Sequence, residues 1–186
     1  MSFRHYASLA LLGVICLQSA AAEEVTKDKA GGFILGIFYF EQICRPSVGN
    51  PGAFHTLIER SDLRKLSAED YATFKTENGL EVWKRTEGAV TVAVEYTRTM
   101  SCQVSMSHAS EEDVRSHLQS VAKLEEQKGR RVALVKDQTV STAGIPPYKV
   151  LQFHVYAPQG NFMLAAITSS EAYRGREAVF LTGPFR

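Results

Sequence analysis

The chain has 186 residues, 45% of them hydrophobic, and its 21 Lys and Arg nearly balance 20 Asp and Glu. A formal charge of +1 lacks the basic footprint of a nucleic-acid binder, so no nucleic-acid partner is expected. The apolar fraction suffices for a folded core, and no sequence repeat or low-complexity block interrupts the chain.

Residues 1–22, MSFRHYASLALLGVICLQSAAA, read as a secretory signal peptide. Arg4 precedes an apolar core from Leu9 to Leu17, and Ala20-Ala21-Ala22 supplies an A-x-A cleavage site. The apolar run is short for a bilayer span and no stop-transfer run follows, so no transmembrane anchor is expected after cleavage. Cys16 follows the large, branched Ile15, whereas lipoprotein signals resemble a pattern with a small residue before the cysteine. Cys16 is expected to leave with the signal. Cleavage removes Arg4 and no acid, which brings the mature formal charge to zero. The expected localisation is periplasmic or secreted.

Residues 23–31 read as a flexible polar leader, and 32–186 as a single α+β domain. In GFILGIFYFEQIC, residues Phe33, Ile37, Phe40 and Cys44 recur at helical spacing, and the additional apolar positions predict a helix buried on more than one side. Pro46, Gly49, Pro51 and Gly52 end it. A second helix is predicted from Ala53 to Glu59. A third is predicted from Ser67, where Ser67-x-x-Asp70 resembles a capping box ahead of Tyr71 and Phe74.

The period then changes to two. Leu80, Val82 and Lys84 predict a strand with Trp83 on its other face. After a turn at Thr86-Glu87-Gly88, Val90, Val92, Val94 and Tyr96 alternate with Thr91, Ala93, Glu95 and Thr97, as in a half-buried antiparallel strand. Beyond a turn near Arg98-Thr99, Met100, Cys102, Val104 and Met106 mark the apolar face of the next strand. Ser110 with Glu111, Glu112 and Asp113 caps a long helix. Val114, Leu118, Val121 and Leu124 form its predicted buried stripe, and Gly129 closes it. The mixed charges Glu125, Glu126, Lys128, Arg130 and Arg131 read as a solvated helix end.

Strands are then predicted over 132–140, 149–156 and 162–168, the last two as a hairpin, with Gly144-Ile145-Pro146-Pro147 as a loop. Ala178 to Leu181 reads as a short edge strand. The predicted fold class is α+β: an antiparallel β-sheet with N-terminal helices and one long central helix packed on one face.

Export leaves two cysteines, Cys44 and Cys102, in the mature chain. An even count in an exported protein predicts a disulfide. Cys44 lies on a buried helix stripe and Cys102 on the core face of a strand, so the bridge would clamp helix to sheet. The chain-entropy model assigns a loop of this length about 4 kcal/mol. The rival reading is a Cys–His hydrolase using His154. It is opposed by a cysteine placed near a helix C-terminus, where the dipole disfavours thiolate. His55, His108, His117 and His154 show no metal-ligand spacing, and His117 falls off the apolar stripe, which predicts a solvated ring. No G-x-S-x-G elbow, P-loop or dinucleotide fingerprint occurs. No catalytic residue, metal or cofactor is expected.

With Leu151, Phe153 and Val155 facing the core, Val150, Gln152, His154 and Tyr156 share the opposite face. Apolar area with hydrogen-bonding tips makes Gln152, His154 and Tyr156 a candidate binding surface. Tyr173, Arg174 and Arg176 fall in a predicted loop and form a second candidate, an anion-binding rim.

At Cys44 and at Ser101-Cys102-Gln103-Val104 the chain resembles an uncharacterised family of small exported proteins of Gram-negative bacteria. The shared order is a helix with Phe-x-x-x-Cys, strands with a Trp, then Cys-x-Val before a helix. The resemblance implies a periplasmic setting and carries no catalytic residues. The expected function is non-enzymatic binding of a protein or cell-envelope partner, as an inhibitor or immunity-like factor. The alternatives are a cell-envelope hydrolase and a small-ligand carrier.

Overall fold

The computed structural model describes residues 31–67, 79–173 and 176–185, with the side chain of Tyr173 left aside. The expected helix bearing Tyr71 and Phe74 lies outside these residues, as does Arg174. The described chain is α+β. Eight strands form one antiparallel sheet in the order β1-β2-β3-β4-β8-β7-β6-β5. They are β1 (Arg64–Lys65), β2 (Gly79–Glu87), β3 (Val90–Thr97), β4 (Cys102–Met106), β5 (Arg131–Thr142), β6 (Ile145–Tyr156), β7 (Phe162–Tyr173) and β8 (Arg176–Pro184). Helix α1 covers residues 31–39 and runs into a π turn, Phe40–Cys44. Among the described residues, helices α2 (Pro51–Glu59) and α3 (Glu111–Gln127) make up the rest of the helical layer.

The three helices of the described residues pack on one face of the sheet. Phe40 of the π turn stacks on Phe180 of β8 at 4.9 Å, and His117 of α3 meets the same ring at 5.5 Å. Phe54 of α2 stacks on Tyr96 of β3 at 4.4 Å and meets Trp83 of β2 edge-on at 5.3 Å. Such pairs contribute beyond the area they bury. Gly32 lets α1 approach the end of β4: a Cβ there would meet the backbone oxygen of His108 at 2.6 Å. Among the described residues, no helix is long and apolar enough to cross a membrane.

Several expectations change. Ala178 to Leu181 belongs to β8, which is central and not an edge: it pairs with both β4 and β7. Its alternation, with Ala178, Phe180 and Thr182 buried, fits a position beneath the helices. Pro146 and Pro147 lie within β6, and the turn before them centres on Gly144 at φ 76°. Pairing of β6 with β7 begins only at Tyr148, so neither proline has to donate to that ladder. Met100 sits in the β3–β4 turn at φ 58°, ahead of the strand. Strand β3 is buried on both faces, Ala93, Glu95 and Thr97 included.

Helix α3 also differs at its end. Leu124 is 48% exposed, whereas Glu125 is 1% exposed. Three cations hold Glu125 in place of solvent, which moves the buried stripe one position on. His117 is half-buried, against the expectation of a solvated ring. It packs edge-on to Phe33 and Phe180 and contacts Glu41 at 3.2 Å.

Candidate functional site

Strand β6 builds the first candidate surface through its period-two alternation. Leu151 and Val155 are buried under α3, while Gln152, His154 and Tyr156 project from the other face and are half-buried. Register extends that face sideways. Tyr156 pairs with Arg131 of β5, and His154 pairs with Met163 of β7. The end of β8 then delivers Phe185, whose ring stacks on His154 at 4.0 Å and meets Tyr156 edge-on at 5.6 Å. The Arg131 guanidinium lies over the Tyr156 ring at 3.9 Å.

Hydrogen bonding orients the polar tips. The Gln152 amide nitrogen lies 3.0 Å from His154 Nε2. The amide NH₂ donates, and Nε2 accepts in the tautomer that carries its proton on Nδ1. The surface therefore combines three rings, a guanidinium and an oriented amide on rigid strands. Aromatic and Arg side chains of this kind supply most binding energy at protein interfaces.

The structure separates the other predicted residues from this group. Tyr173 ends β7 and pairs with Arg176, which opens β8. Both residues therefore lie in strands and not in the expected loop. Met163, beside His154, and Tyr173 lie ten residues apart on β7, about 33 Å at strand rise. Arg176 instead borders a small cavity of about 260 Å³ with Tyr148, Ile167 and Val179. Sequence reading missed Arg131, taken as a solvated charge, and Phe185. Only the β8 register carries Phe185 to His154, and no local pattern encodes that.

Cys44 and Cys102 form a disulfide, with Cα atoms 5.2 Å apart and both residues buried. Thiolate chemistry at these positions is thereby closed off. Among the described residues, no group of three or more His, Cys, Asp or Glu could hold a metal ion.

A second site occupies the helix side, one residue beyond Cys44. Helix α3 ends in a Schellman turn: Gly129 N–H donates to Glu126 O and Arg130 N–H to Glu125 O, with Gly129 at φ 77°. The turn folds Arg130 back over Glu125. Arg130 Nη1 donates to Glu125 Oε2, Lys128 Nζ donates to Oε1 at 2.9 Å, and Arg45 Nη2 donates to Oε1 at 2.6 Å. Arg45 also donates to Glu41, which His117 contacts. Burial pushes the Glu125 carboxyl up, but the Lys128 hydrogen bond and the charges of Arg130, Lys128 and Arg45 outweigh it, and its pKa lies below the usual glutamate value. Glu41 follows the same pattern: burial opposes its charge, and the His117 and Arg45 contacts bring its pKa down. The mixed charge run read as a solvated helix end is thus, at Glu125, a buried ionic cluster.

No protein-family model, no curated protein and no solved structure matches this chain.

Proposed function

We propose that this chain is an exported protein, cleaved behind Ala22 and held in the periplasm or secreted, that works without catalysis by binding a protein partner, as an inhibitor or immunity-like factor does. The carrying observation is the Arg131–Tyr156–His154–Phe185 cluster on the sheet face opposite the helices. The rings are preorganised by stacking and by strand pairing, so docking orders few further rotamers. The Cys44–Cys102 bridge supports an oxidising compartment.

The test uses the mature chain immobilised through its C-terminus and exposed to envelope extract. A partner retained by the wild type should be lost from a Tyr156→Ala/Phe185→Ala variant. It should be kept by Lys123→Ala, which alters an exposed residue of α3. Equal retention by all three chains would refute this surface. Mass analysis of the exported protein tests the cleavage, with Glu23 expected as the first residue.

A further inference from the structure

We propose that the cleft over Glu125 is a binding site for an oxyanion group of the phosphate type, on the helix side of the sheet and separate from the partner surface. The cleft has a volume of about 490 Å³ and is lined by Glu41, Arg45, Glu125, Lys128, Arg130 and Gln159, with neighbours from the β6–β7 turn. Its chemistry follows from counting donors. Each guanidinium carries five N–H donors, an ammonium three, and a carboxylate accepts at about four lone-pair positions. Two guanidiniums and an ammonium converge on one buried carboxylate, with Glu41 taking a bond from Arg45. Donors therefore exceed the acceptors within the cluster.

Charge points the same way. Three cations face two carboxylates, which leaves the cluster positive in a mature chain of zero formal charge. The cations are not withdrawn from the cleft: the side chains of Arg45, Arg130 and Lys128 are 18%, 29% and 53% exposed. Glu125 has a positioning role. Three like charges in one place repel, and a buried carboxylate with 1% exposure holds them together before any ligand arrives. Arg130 is also steadied by the Phe162 ring, 5.7 Å from its guanidinium. Planar guanidinium forks match phosphate oxygens two at a time, which a lysine-only patch cannot do.

A phosphoryl group reaches such a cleft either as free phosphate or on a lipid headgroup. The experiment separates them. Isothermal titration of the mature protein with inorganic phosphate forms one arm. Co-sedimentation with phosphatidylglycerol vesicles, against phosphatidylcholine vesicles, forms the other. Saturable binding in at least one arm is expected, weakened about tenfold or more by Arg130→Gln, as loss of a charge-assisted bond requires. Lys128→Gln removes a half-exposed partner, so it should weaken binding while the fold survives. Lys149→Gln, in the exposed pair with Glu111, should change nothing. Phosphate binding alone identifies a free anion, and selective vesicle binding identifies a headgroup. No binding in either arm, or binding unchanged in both Arg130→Gln and Lys128→Gln, would overturn the proposal.

Discussion

Arg45 Nη2 lies 2.6 Å from Oε1 of Glu125, across 80 residues of sequence. Arg45 directly follows Cys44, so a covalent bridge and a buried ion cluster clamp the same π turn, one to β4 and the other to α3. Turns of π geometry are rare and occur frequently at functional sites. Here the turn presents Phe40, Ile43 and Cys44 inward and leaves Arg45 at the cleft.

Removing the carboxylate should cost more than removing a surface charge. Glu125→Ala leaves three partly exposed cations facing each other without their shared acceptor, and about 2 kcal/mol of stability should be lost. Urea denaturation of the two chains, each spanning residues 23–186, measures this. Glu126→Ala, one residue along and exposed, should stay within about 0.5 kcal/mol.

The same cluster sets an acid limit. Glu125 and Glu41 titrate lower when folded than when unfolded. Their contribution is complete above the unfolded glutamate value of about 4.3 and is lost as pH falls toward the folded values. Stability should therefore drop on acidification below about pH 4.5, where the unfolded chain binds the extra protons. Thermal melts against pH should show a shallower acid slope for Glu125→Gln than for the wild type.

Breaking the bridge tests the other clamp. Its loop spans 58 positions. A Cys44→Ser/Cys102→Ser chain should lose about 4 kcal/mol through loop entropy in the unfolded state. Oxidised, denatured wild-type protein should show no titratable thiol from these two residues.

Much of this architecture was legible because it is local. Alternation in Val90–Thr97, the Ser110 cap and the Gly129 stop each depend on a few neighbouring residues. The disulfide was legible because Cys44 and Cys102, the two cysteines beyond the predicted signal, fall on apolar faces. Glu125 was not, since its partners come from residue 45 and from a Schellman turn whose geometry only appears on folding. The central place of β8 was hidden for a similar reason: whether a strand lies at an edge depends on which distant strands pair with it. The Gln152–His154–Tyr156 face followed from period two, whereas Phe185 joined it through long-range register.

Backbone contact makes a further prediction at Gly32. A Cβ there would run into the carbonyl oxygens of Ser107 and His108, and backbone cannot swing aside as a side-chain tip can. Gly32→Ala should cost about 2 kcal/mol. Gly52→Ala, in α2, meets nothing nearer than Asn50 Oδ1 at 3.5 Å and should be neutral or stabilising by up to about 1 kcal/mol. Paired melting curves distinguish the two.

Site-specific photo-crosslinking tests the proposed partner surface most directly. A photoreactive phenylalanine analogue replaces Gln152, on the aromatic face, or Lys123, on the exposed side of α3, in the full chain expressed in cells. A discrete crosslinked species from position 152, absent from position 123 and abolished by Tyr156→Ala/Phe185→Ala, is the predicted result. Crosslinks of equal yield at both positions, or a species at 152 that survives the double substitution, would contradict binding through this face.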